Sequence, residues 1–330
     1  MANLRAGVIG IGSMGRHHVR VLREIDGVDL VAVADPGGDR FGVAGDLPVG
    51  HGVEDLVKAG VDMVVAAVPT SHHAAVAVAL AEAGIPTLIE KPVASSPAEA
   101  AVIEQAFAKA GVMACVGHVE RFNPANSELR RRLADGALGA VYQVATRRQS
   151  PFPERIGDVG VVKDLATHDI NTTQWLADSD YASIEAQVAH RAARTHEDMV
   201  SITGRLANGV LINHIVNWLS PFKERITIVT GERGTFVADT MQVSLTYWAN
   251  GSIPTEWEQI RQFRGVSEGD VTRFALKTRE PLRSEDEAFR DAVLGLRDDV
   301  VSLNDGVKTL QVAEAALTSA AQGIAINLLS

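Results

Sequence analysis

Asp164 and His168 have the residue types and the spacing for acid–base chemistry. Four residues apart on a helix, a carboxylate and an imidazole share one face, about one turn from each other. An imidazole with an ordinary pKa of about 6.5 can take an alcohol proton and return it. The carboxylate beside it can hydrogen-bond a substrate or favour the protonated ring. Lys91, in Glu90-Lys91-Pro92, follows a short apolar run and reads as a residue at a strand end, where an ammonium lowers the pKa of a nearby hydroxyl. Lys91, Asp164 and His168 are the candidate catalytic group. Zinc sites use similar spacings, but no third ligand is evident and no metal is expected. Asp169 reads as solvent-facing or structural.

The run Gly10-Ile11-Gly12-Ser13-Met14-Gly15 fits G-x-G-x-x-G, with an apolar strand before it and a helix after it. Gly10 permits the tight turn, Gly12 lets the backbone approach a pyrophosphate, and Gly15 lets the helix pack on the sheet. The helix N-terminus presents free amides to phosphate. Asp35 stands 20 residues after Gly15, where a ribose-binding acid is expected. A 2′-phosphate within about 4 Å of it would meet repulsion of roughly 4 kcal/mol per charge at an effective dielectric near 20. The next basic residue is Arg40, so the expected cofactor is NAD rather than NADP.

A third group follows the first domain. Gly117-His118-Val119-Glu120-Arg121-Phe122-Asn123-Pro124 is polar and charged where the chain leaves that domain. Arg121, Asn123, Arg148 and Arg155, with Arg147 beside them, are the candidates for an anionic group on a substrate.

These residues need a scaffold that presents strand ends. Short apolar strands at Ala6–Ile9, Leu30–Ala34, Asp62–Val68, Thr87–Glu90 and Met113–Gly117 alternate with helices at Gly15–Asp26, His72–Ala83 and Pro97–Ala110, the signature of a doubly wound parallel sheet. Beyond about Glu120 the pattern becomes alternating: Val141–Arg148, Ile184–Ala193, Met199–Leu206, Val210–Trp218, Arg225–Thr230 and Val243–Trp248. Such alternation signals a mainly antiparallel sheet with one face solvated or covered by a partner. Helices are expected at Asn126–Ala134, Val161–Leu176, Asp286–Leu296 and Asp305–Ile324. The expected fold is α/β: a Rossmann domain over 1–120, then a substrate-binding and oligomerisation domain over 121–330.

Composition narrows the partners. A formal charge of −10 argues against nucleic acid and anionic membranes, which need a basic face. Cys115 is the only cysteine, so no internal disulfide forms. No signal peptide or membrane span is evident, and a cytoplasmic location is expected.

Taken together, these motifs resemble the Gfo/Idh/MocA oxidoreductase family over nearly the whole chain. The matching residues are Gly10–Gly15, Pro69 with His73, Glu90-Lys91-Pro92, Arg121 with Pro124, Asp164 with His168, and Gly306, Ala315, Ser319 and Gly323 of the last helix. The resemblance implies hydride transfer at a sugar or polyol carbon, with His168 as acid/base, Lys91 assisting the hydroxyl and Asp164 orienting. It implies that Ser13, Met14, Pro69, Thr70, His73, Glu90, Lys91 and His118 line the cofactor, and that the open sheet forms a homodimer or homotetramer. The stretches Gly117–Pro124, Ser150–Arg155 and Asp158–Asp169 look like the UDP-N-acetylglucosamine 3-dehydrogenase branch, whose diphosphate substrate would employ the arginines. An inositol, another polyol or a free sugar is the alternative substrate. A non-catalytic NAD-binding sensor is the alternative from another class, and it has no chemical need for all three of Lys91, Asp164 and His168.

Overall fold

The computed structural model describes residues 3–153, 159–192, 195–251 and 267–329. The chain divides into two compact units, Met1–Phe122 with Arg279–Glu314, and Asn123–Thr278 with Ala315–Ser330.

The first unit is built on six strands: β1 (Leu4–Ile9), β2 (Val28–Ala34), β3 (Val49–Gly50), β4 (Met63–Ala66), β5 (Thr87–Glu90) and β6 (Ala114–Gly117). They are all parallel, in the order β3-β2-β1-β4-β5-β6. Met63–Ala66 is buried at every position, as a strand covered on both faces must be. The crossover helices are α1 (Gly15–Glu24), α2 (Val53–Ala59), α3 (His73–Glu82) and α4 (Pro97–Ala110). Local chemistry sets the ends of α4. Ser96 Oγ accepts the Glu99 N–H at 3.3 Å, Pro97 occupies the first turn, and Gly111 closes the helix at φ 65°, which satisfies orphan backbone groups at both ends.

The helix Pro281–Val293 returns to this unit. Its Leu282 and Phe289 share an apolar cluster with Val19, Leu22, Ile25 and Cys115. At the start of the helix Leu303–Gln322, Gly306 meets β6 so closely that a Cβ there would lie 2.6 Å from Val116 Cγ2. The sequence placed everything from 121 onward in a second domain; Arg279–Glu314 packs on the first instead. Periodicity marks the apolar face of a helix but does not say which sheet that face will cover.

Among its described residues, the second unit holds nine strands in the order β14-β13-β12-β11-β7-β10-β9-β8-β15. These are β7 (Val141–Pro151), β8 (Tyr181–Ala189), β9 (Met199–Leu206), β10 (Leu211–Asn217), β11 (Leu219–Gly231), β12 (Gly234–Asp239), β13 (Ser244–Gly251), β14 (Ser267–Phe274) and β15 (Ile326–Asn327). Among these strands, only β7 and β10 pair in parallel. The helices α5 (Pro124–Ala134) and α6 (Thr167–Ala177) pack on one face. Toward that face point Ile212, His214 and Val216 of β10, while Leu211 and Ile215 are exposed on the other. Within the buried layer, His214 Nδ1 is 2.8 Å from Thr146 Oγ1 and its Nε2 is 2.7 Å from Tyr181 Oη, so one imidazole joins β7, β8 and β10. Burial lowers the pKa of His214 to about 3.

Candidate active site

In the first unit the candidate residues gather at the carboxyl ends of the strands, the edge where open parallel sheets bind ligands. Gly10, after β1, adopts φ +82°, and a Cβ there would lie 2.6 Å from Val68 N. A Cβ at Gly15 would lie 1.8 Å from Gly10 O, so only glycine lets α1 start this close to the loop. Gly12 faces open space, with nothing within 4 Å of a built Cβ. That is the fit a pyrophosphate needs: a bare backbone at a helix N-terminus. Ser13 and Met14 complete the turn before α1. Asp35, after β2, accepts the Ile11 N–H at 3.0 Å and the Gly37 N–H at 2.7 Å, so the carboxylate is oriented by the loop itself.

After β4, exposed Pro69 precedes a single turn, Thr70–His72. His73 is buried rather than presented to solvent. Its Nε2 is 2.9 Å from Val68 O and its Nδ1 is 2.9 Å from Pro92 O. The ring therefore latches the loop after β4 to the turn after β5. Burial lowers its pKa while the two carbonyls pull the other way. Glu90 ends β5 buried, Lys91 follows it half-buried, and the Lys91–Pro92 peptide is cis. Gly117 of β6 pairs with Glu90, which brings His118 onto the loop beside Lys91. Burial first, then the Arg121 and Lys91 cations, hold His118 well below its ordinary pKa. The Arg121 guanidinium reaches Asp305 at 3.3 Å.

In the second unit, the expected α-helix over Val161–Leu176 begins as a π-helical turn, Val162–Ala166, and only then becomes α6. Asp164 lies in the widened turn and His168 in the first turn of α6; Asp164 is buried and His168 half-buried. Wider turns of this kind recur at functional sites. Asp169 is not solvent-facing. It is buried and accepts from Arg148 Nε at 3.0 Å, which commits Arg148 to a buried ion pair. Arg147 is paired with Glu224. Asn123 caps α5 by accepting the Ala125 N–H at 3.0 Å, and it donates to Thr240 O at 3.1 Å. Arg155 and Ala193 lie outside the described residues.

Three buried acid–base residues were missed by sequence reasoning: His18, Glu285 and Asp286. The signal for His18 was available. It falls on the buried stripe of α1 with Gly15, Val19 and Leu22, where an ionisable residue needs partners. Among the described residues, its group with Glu90 and Glu285 is also a set of three potential metal ligands, with donor atoms within 4.8 Å of one another.

The strand order, the glycine loop after the first strand and the acid after the second define a Rossmann-fold dinucleotide-binding protein with a second, mixed-sheet unit. The chain belongs to the GFO/IDH/MocA oxidoreductase family. Residues 4–118 match the family's NAD-binding Rossmann fold, and residues 127–237 match a GFO/IDH/MocA C-terminal domain. The chain is 31% identical to inositol 2-dehydrogenase 4 of Saccharopolyspora erythraea, over 63% of this chain and 65% of that one. It is 32% identical to the UDP-N-acetylglucosamine 3-dehydrogenase of Acidithiobacillus ferrooxidans, over 64% and 66%. These matches span just under two thirds of each relative. The solved structure of the latter enzyme superposes with a TM-score of 0.84 at 26% identity, covering 97% of this chain and 98% of that one.

Proposed function

We propose that the chain is an NAD-dependent dehydrogenase that oxidises a secondary hydroxyl of a sugar, with a nucleotide-sugar such as UDP-N-acetylglucosamine, at its 3-position, as the leading substrate. The observation that carries this reading is the near-full-length likeness to a solved UDP-N-acetylglucosamine 3-dehydrogenase. Bound NAD supplies the hydride acceptor. On the protein, His168 takes the hydroxyl proton, Asp164 orients it, and Lys91 holds positive charge beside the reacting oxygen. Gly10, Gly12, Gly15 and Asp35 hold the dinucleotide.

A polyol such as inositol is the second reading, and two observations favour it. A relative of similar identity is an inositol 2-dehydrogenase. In addition, Arg121, Arg147 and Arg148 each already have a carboxylate partner in this chain, so the case for a bound diphosphate rests chiefly on Arg155. The test is NADH absorbance over a panel of UDP-sugars, free sugars and inositols. UDP-N-acetylglucosamine turned over at least tenfold faster than any inositol supports the leading reading, and the reverse ratio selects the polyol. Arg155→Ala separates them again, with a tenfold or larger rise in KM expected for a diphosphate substrate, since charge-assisted contacts contribute about 1.5–3 kcal/mol. NAD binding without turnover of any of them would select the sensor reading.

The molecule is further proposed to work in the cytoplasm as a homodimer or homotetramer, assembled through the outer face of the nine-stranded sheet. Among the described residues, no helix is long and apolar enough to cross a membrane.

A further inference from the structure

We propose that His18, clamped between the Asp286 and Glu90 carboxylates, is a positioning residue that fixes the Lys91 turn relative to the dinucleotide loop; its catalytic consequence rests on the dehydrogenase reading above.

The clamp is continuous through hydrogen bonds. His18 Nδ1 is 2.9 Å from Asp286 Oδ1 and 3.1 Å from Oδ2. His18 Nε2 is 3.0 Å from Glu90 Oε1. The second oxygen of Glu90, Oε2, accepts the Lys91 N–H at 3.0 Å. His18 and Asp286 are fully buried and Glu90 nearly so. Ionised carboxylates only accept, so an imidazole facing one at each nitrogen carries hydrogen on both. We take both carboxylates as ionised, which makes the ring an imidazolium, although burial pushes the pKa of Asp286 upward. Burial opposes that charge more than anything else does, yet Asp286 and Glu90 together override it and raise the pKa of His18 well above its ordinary value.

The arrangement joins three elements that sequence alone leaves unconnected. His18 lies in the first turn of α1, directly behind the glycine loop. Glu90 ends β5 and holds Lys91, while Asp286 comes from the returning helix Pro281–Val293. The Glu90 carboxylate sits close against residue 117, where the lack of a side chain leaves it room. A Cβ at Gly117 would lie 3.2 Å from Glu90 Cδ and 3.3 Å from Oε2. An apolar residue at 18 would leave the buried Glu90 carboxylate with the Lys91 N–H and charge but without its imidazole partner. A clamp with hydrogen on both ring nitrogens keeps Glu90 from turning, and through it fixes the backbone from which the Lys91 ammonium extends.

Glu285 completes the cluster. Among the described residues, neither of its buried carboxyl oxygens has a hydrogen-bond partner. Burial, followed by the Glu90 carboxylate, pushes its pKa well up, toward the neutral acid. A divalent ion among His18, Glu90 and Glu285 would have to displace the hydrogen from His18 Nε2, so metal content is a direct check on the assignment.

The experiment compares wild type with Asp286→Asn and His18→Gln. Three readouts are taken: the NAD Kd by tryptophan fluorescence, kcat and KM on whichever of UDP-N-acetylglucosamine or myo-inositol the wild type oxidises, and 15N NMR of the imidazoles. The expected wild-type spectrum at pH 8 contains one doubly protonated imidazole, which is absent from His18→Gln. In Asp286→Asn that ring titrates at lower pH and kcat falls at least tenfold, while KM and the NAD Kd stay within twofold. The proposal is overturned by a neutral His18 at pH 8, by an unchanged kcat in Asp286→Asn, by kcat and NAD affinity falling together, or by a stoichiometric metal in the purified protein. If Asp286→Asn does not fold, His18→Gln carries the comparison with the same expectations for kcat and Kd. Should the wild type oxidise neither compound, the dehydrogenase reading fails separately. The clamp is then decided by NMR of 13C-methylated Lys91, assigned with Lys91→Arg, whose signal shifts in Asp286→Asn if the network holds the turn and coincides with wild type if it does not.

Discussion

Asp35 shows how one carboxylate does two jobs. It accepts N–H groups from Ile11 and Gly37, which stiffens the glycine loop, and in the proposed NAD site it is the carboxylate that a 2′-phosphate would meet. The Arg40 guanidinium already lies beside Gly37, with Nη2 2.9 Å from a Cβ built there. Asp35→Ser is therefore expected to weaken NAD several-fold, through loss of loop order, and to tighten NADP at least tenfold as repulsion gives way to Arg40. Fluorescence titration with both nucleotides checks this, and unchanged selectivity would refute the role of Asp35. His168 is the residue on which the proposed chemistry turns. Positioned general bases contribute about 10²–10⁴-fold, so His168→Ala should lower kcat by at least a hundredfold with the NAD Kd unchanged. These residues could be proposed from the sequence because their types and spacings carry chemistry locally. Asn123 and Arg148 were read as substrate ligands from their charge and position, but in the fold one caps a helix and the other pairs with Asp169.

At the level of elements, most strands and helices were visible as periodicity, and Pro97–Ala110 formed over the range its caps specified. The π turn at Val162–Ala166 left no such mark, since a one-residue change in hydrogen-bond register does not alter an apolar pattern. Nor did the sequence reveal that His214 would lie in the core between Thr146 and Tyr181. That placement has a consequence for acid stability. A histidine with a folded pKa of about 3 stays neutral while the unfolded chain binds a proton below about pH 6.5. Its contribution is complete above pH 6.5 and is lost as pH falls toward 3, at about 1.4 kcal/mol per unit, or ~2 kcal/mol by pH 5. Urea unfolding at pH 7.5 and 5 should show this loss in wild type and much less of it in His214→Gln, where an amide replaces the titrating ring.

Across the whole molecule, the outer face of the nine-stranded sheet is the largest feature without an evident purpose in a monomer. Leu211, Gln143, Thr230, Thr235, Trp248 and Val271 follow one another across six strands. Ile215 and Ile228 are exposed among them. The proposed assembly would bury this exposed strand face, since extended exposed sheet surfaces with large apolar side chains favour association. Ile215→Lys, on the central strand β10, is expected to shift the molecule to a smaller species in sedimentation velocity while leaving NAD binding intact. A wild-type monomer at micromolar concentration would refute the assembly. Residue types and spacing alone single out the dinucleotide loop and the candidates for its ribose acid, its lysine and its acid–base pair, because each of these is read from neighbours within a few turns of chain. Folding settled which helices cover which sheet, which charges are already spent on the protein, and that His18, Glu90 and Asp286 meet. Contacts between residues as far apart as 18 and 286 depend on how elements pack, and no local pattern encodes that.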